Sequence, residues 1–100
     1  MTETKEIKSM NVEIQLDDAV ANGQYVNMIM AQHSSSEFVF DFIFMLPGQP
    51  KGRVRSRVIM APEHAKRLMM MLNEGIANYE NIFGAIRLPQ GPLPLPRNVQ

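Results

Sequence analysis

The residues of this chain whose types and spacing could do chemistry are few, and the densest group is GRVRSRV, residues 52–58. Arginine stands at every second position. In an extended chain successive side chains point to opposite faces, so Arg53, Arg55 and Arg57 would form one row and Val54, Ser56 and Val58 another. Such a row has three uses: gripping the phosphates of a nucleic acid, pairing with the protein's own carboxylates, or facing solvent. A hairpin turning about Gln49 sets Asp41 opposite Arg57, Ile43 opposite Arg55 and Met45 opposite Arg53. The row then shares its face with Val39, Asp41, Ile43 and Ile59 and, from the preceding strand, with Tyr25, Asn27, Ile29 and Ala31. That face is too apolar to stand fully solvated, so a second subunit, a ligand or a nucleic acid is expected to cover part of it. Arg53, Arg55, Arg57, Asp41, Tyr25 and Asn27 are therefore the candidate interface or nucleic-acid-binding residues.

The remaining reactive types do not assemble into a catalytic constellation. His33 adjoins Ser34, Ser35 and Ser36, but neighbours in sequence do not present a base to a hydroxyl in hydrogen-bond geometry, and the run reads as a turn. His64 stands beside Glu63 at a helix start with no second ligand at metal-binding spacing. There is no cysteine, hence no disulfide, thiolate metal site or thiol nucleophile. PGQPKG, residues 47–52, lacks the spacing of a phosphate loop and leads into a strand instead of a helix. Met69, Met70 and Met71 fall on three helix faces about 100° apart, suited to adaptable packing or a helix contact in an oligomer. The expectation is a protein with no catalytic residues, no metal and no cofactor.

The elements that must position these residues can be read from periodicity. Alternation marks strands at 12–16 (VEIQL), 25–32 (YVNMIMAQ), 38–45 (FVFDFIFM) and 53–60, separated by polar, glycine or proline breaks. Phe38, Phe40, Phe42 and Phe44 line one face of the third. Pro62 suits a helix's first turn and Glu63 its positive end. From there Ala65, Leu68, Leu72, Ile76, Tyr79 and Phe83 recur at three- and four-residue steps, with Gly84 as an αL stop. The predicted fold is α+β: a four-stranded antiparallel meander with one long C-terminal helix packed on one face. Phe40 and Phe42 would be buried against Leu68, Leu72 and Ile76. Residues 1–10 read as a flexible N-terminus, 11–86 as one ββββα domain, and 87–100, with four of the seven prolines, as an extended tail.

Three pieces of the chain, GQYVN, SEFVFDF and the helix start P-x-H-A-K-R-L with YE and FG at its end, resemble the family of small bacterial and archaeal proteins catalogued as domain of unknown function 3467. The likeness covers about residues 11–86. It implies a fold and a bacterial or archaeal source but carries no activity and no site residues.

Charge bears on partners. The formal net charge is zero, yet residues 1–50 hold seven acids against two lysines, and residues 51–67 hold six bases against Glu63. A basic segment on a neutral chain fits internal or intersubunit pairing better than tight nonspecific nucleic-acid binding, which goes with a strongly basic domain. No apolar run reaches the ~20 residues of a membrane span, and the polar N-terminus has no apolar core of a secretory signal, so a cytoplasmic protein without membrane contact is expected. The function expected is that of a noncatalytic, homo-oligomeric interaction or adaptor protein, a dimer or larger, with single-stranded nucleic-acid binding as the alternative.

Overall fold

The computed structural model describes residues 3–7 and 10–89. Its elements run β1 (Glu3–Ile7), β2 (Met10–Ile14), α1 (Asp18–Ala21), β3 (Met28–His33), β4 (Phe38–Met45), β5 (Gly52–Met60) and α2 (Pro62–Phe83). The fold is α+β, but the sheet is three-stranded, in the order β3-β4-β5. The strand expected to open a four-stranded meander pairs instead with β1 in a separate antiparallel hairpin, Glu3 opposite Ile14. Alternation identifies a strand but not its neighbour. The partner of β2 lies in a polar segment that the sequence assigns to a flexible terminus. The proline-rich tail beyond residue 89 lies outside the described residues.

Within the sheet, β4 is the central strand and is antiparallel to both neighbours. The β4–β5 turn follows from proline and glycine chemistry: Pro47 and Gly48 occupy its centre, Gly48 has φ +77°, and the Gln49 amide donates to the Leu46 carbonyl at 3.1 Å. This is the pattern of a type II turn, which requires positive φ at its third residue. From Phe38 to Phe42 the pairing is the expected one, with Phe40 opposite Val58, Asp41 opposite Arg57 and Phe42 opposite Ser56. Between Phe42 and Ile43 the register shifts: Ile43 faces Val54 and Phe44 faces Arg53, leaving Arg55 as the extra residue of a β-bulge.

The core lies on the face opposite to the one expected. Asp41 and Ile43 are the buried residues of β4, 2% and 6% exposed, while the four phenylalanines of the other face are only half-buried. Gly52, opposite Met45, is required by close approach, since a Cβ there would stand 2.8 Å from Ile43 Cγ2 and 3.2 Å from Met45 Cγ.

Helix α2 has the boundaries its periodicity predicts, with Pro62 in the first turn and Gly84 ending it. Gly84 stops the helix at φ +96° and ψ 171°, a positive-φ conformation other than αL. What the helix does not do is cover the sheet. No residue of α2 is buried; Leu72 and Ile76, expected against Phe40 and Phe42, are 55% and 44% exposed. Ala65 and Leu68, in its first two turns, and Glu80, in its last, are half-buried. The connection explains this: a single residue, Ala61, links β5 to Pro62, whereas loops that return a helix onto its own sheet commonly run ~2–6 residues.

Candidate interface surfaces

The bulge at Arg55 decides what the arginines can do. Because opposed residues share a face, Arg57 lies with Asp41, whereas Arg53 lies with Phe44 on the phenylalanine face. Arg55 follows it there, its guanidinium carbon 5.2 Å from the centre of the Phe44 ring. The expected single row is thus split, one arginine on the Asp41 face and two on the other. Sequence alternation cannot reveal an inserted residue that breaks it, and no glycine marks the position.

On the Asp41 face, Arg57 donates from Nε to Oδ1 at 2.7 Å and from Nη2 to Oδ2 at 2.9 Å. This is the bidentate fork that a planar guanidinium makes with a carboxylate. The Arg57 hydrogen bond holds the Asp41 carboxyl below its usual range; burial pushes the other way, and the positive charge adds to the lowering. The same bond raises the Arg57 guanidinium. Met28, Met30 and Gln32 share this face, so Ile29 and Ala31, expected beside the arginines, sit instead opposite Phe42 and Phe40.

Tyr25 and Asn27 precede β3 and are separated by function. The Tyr25 ring meets Phe44 edge-on at 6.2 Å, on the phenylalanine face. Asn27 acts as a piece of ladder: its side-chain Nδ2 donates to the Met45 carbonyl at 3.0 Å, its Oδ1 accepts from the Met45 amide at 2.8 Å, and its own amide donates to the Ile43 carbonyl. Both polar edges of its side-chain amide are used on backbone, so Asn27 is a structural residue.

The phenylalanine face therefore carries Phe38, Phe40, Phe42, Phe44, Tyr25, Arg53 and Arg55, with Phe38 and Phe40 stacked at 6.1 Å and His33 tilted against Phe38 at 5.3 Å. At its Phe42 end, the segment around α1 passes over it and leaves a cavity of about 290 Å³ between Val20, Gly23, Val26, Phe42, Arg55 and Ser56. Neither Arg53 nor Arg55 has a carboxylate partner among the described residues.

The second open surface is the stripe of α2: Leu72, Ile76, Tyr79 and Phe83, with Tyr79 and Phe83 in ring contact at 4.9 Å. Met69, Met70 and Met71 are all more than half exposed. The other reactive types are taken up locally. The Ser34 hydroxyl caps the turn by accepting from the Ser36 and Glu37 amides, and His64 contacts Arg67, which also meets Glu63 at 3.6 Å. Among the described residues no three acidic or histidine side chains are grouped so as to hold a metal ion, and no helix is long and apolar enough to cross a membrane.

A hairpin, a three-stranded sheet and an amphipathic helix that leaves its apolar stripe uncovered define a small α+β chain. The chain belongs to the family described as protein of unknown function (DUF3467), which matches residues 1–88. No curated protein and no solved structure matches it.

Proposed function

We propose that this protein is a noncatalytic, homo-oligomeric interaction protein. The observation that carries the reading is the exposed stripe of α2. A helix with an apolar stripe is stable in water when that stripe is buried against another element. Here Leu72, Ile76, Tyr79 and Phe83 are 44–71% exposed in the single chain. An apolar surface of this extent on a soluble chain marks an interaction site. The side chains of catalytic type support the noncatalytic part of the reading, because Ser34 and His64 are engaged in a turn and in a helix-surface contact. Light scattering at micromolar concentration tests it: the wild type should run as a dimer or larger and Ile76→Asp as a monomer. A monomeric wild type would overturn the reading.

Single-stranded nucleic-acid binding is the second reading, favoured by the transfer of Arg53 and Arg55 to a face bearing Tyr25 and Phe44. Aromatic side chains stack bases and arginines neutralise phosphates. The zero net charge weighs against it. Each neutralised phosphate contributes ~0.7 to the log-log salt slope, so salt-sensitive oligonucleotide binding lost in Arg55→Ala would promote it over self-association.

A further inference from the structure

We infer that two copies of this chain exchange helices, α2 of each lying across the phenylalanine face of the other's sheet. The inference rests on the self-association reading and names its geometry. Each copy presents two unfilled apolar surfaces, a helix stripe without a sheet and a sheet face without a helix. A second copy supplies what both lack.

Dimensions fit. Three strands ~4.8 Å apart make a face ~14 Å wide, which one helix ~10–12 Å in diameter covers. The 22 residues of α2 span ~33 Å, against ~27 Å for the eight residues of β4. The segment around α1 roofs only the Phe42 end, leaving Phe38, Phe40, Ala31 and Val58 for the incoming stripe.

The connection favours exchange over closure within one chain. Ala61 alone joins β5 to α2, in an extended conformation with φ −66° and ψ 154°. A hinge too short to fold back is the standard route to exchange of an element between copies.

The accessible surface is 9456 Å², against ~5,800 Å² for a compact 11.4 kDa chain, so the single chain leaves surface open that a second copy would cover. Charge agrees as well: Arg53 and Arg55 rim the sheet face, and residues 68–83 of α2 carry Glu74 and Glu80 with no base.

The absence of native cysteine makes the geometry testable by disulfide trapping. Ile76→Cys and Val58→Cys, made as separate full-length chains and checked for native circular dichroism, are unfolded together, refolded and oxidised. Mass spectrometry then counts the mixed covalent dimers. The mixed species should exceed severalfold that formed by Ile76→Cys with Ile59→Cys, whose side chain is on the opposite face. Leu72→Cys with Ala31→Cys repeats the comparison at a second pair in case Val58→Cys disturbs folding. Predominant Ile76–Ile76 linkage, or preference for the Ile59 face, would overturn helix exchange. So would failure of both mixed pairs in a wild type that scatters as a dimer, a result that spares self-association. A wild type monomeric in light scattering sinks both.

Discussion

Arg57 and Asp41 face each other across the β4–β5 ladder and are joined at two points, with the carboxylate buried and the guanidinium stem half exposed. The fork favours the charged form of the carboxylate. Since the folded Asp41 titrates below its ordinary value of 3.8, the stability the pair contributes is fully present above that value. It is lost as pH falls through the lower, folded one. Acid unfolding followed by circular dichroism should therefore be less steep in Asp41→Asn than in wild type below pH ~4. At neutral pH, Arg57→Ala should lower the denaturation midpoint more than Arg53→Ala, because only the first leaves a buried carboxylate unpaired. Equal effects would deny the fork its structural role.

Gly52 marks the place where β5 comes too near β4 for any side chain. Adding a methyl group forces Ile43, a core residue, to move. Overpacking of this kind costs ~1–3 kcal/mol, and ~1 kcal/mol shifts the thermal midpoint of a domain this size by ~4–8 °C. Gly52→Ala should show a fall in that range by calorimetry; an unchanged midpoint would mean that the bulge region yields freely.

Asn27 extends the β3–β4 ladder by side chain instead of backbone. Asn27→Ala removes two hydrogen bonds, each worth ~0.5–1.5 kcal/mol net, and should speed hydrogen exchange at the Met45 amide. Asn27→Asp should be no milder than Ala, because it retains the acceptor for the Met45 amide but places a carboxylate oxygen against the Met45 carbonyl. Protection of Met45 unchanged in both variants would count against the contact.

Much of this architecture is legible in the amino-acid order, and the failures have a common physical cause. Strand β4 and helix α2 have the limits read from alternation and from the 3.6-residue stripe, because those periods are local properties of the chain. The Asp41–Arg57 pairing is the one a hairpin turning about Gln49 gives, but it holds because the bulge adds one residue between the turn and the pair; next to the turn Met45 faces Gly52 and Phe44 faces Arg53. On that side the bulge at Arg55 moves two arginines to the other face, and no residue type announces it. Strand pairing and helix docking are non-local. The alternation of β2 does not reveal that β1 is its neighbour, and the apolar stripe of α2 demands a cover without saying whose. The family is likewise legible in short motifs, while the use of Asn27 on backbone is visible only in three dimensions.

Gly75 separates what one chain does from what an assembly does. It lies in the middle of α2 and on the same side as Leu68, Leu72 and Tyr79, and a Cβ built there meets nothing within 4 Å. In an uncovered helix, glycine is worse than alanine by ~0.8–1.0 kcal/mol, because it leaves more backbone entropy to be lost on folding. Gly75→Ala should therefore raise helicity by circular dichroism and lift the thermal midpoint by several degrees at concentrations where the chain is dispersed. At assembling concentrations a sheet face pressed on the stripe would have the added methyl group in its way, so the gain should shrink or reverse. Melting curves of wild type and Gly75→Ala over a hundredfold concentration range measure both regimes. A gain of the same size throughout would show that the Gly75 side of the stripe stays open to water in the assembled protein.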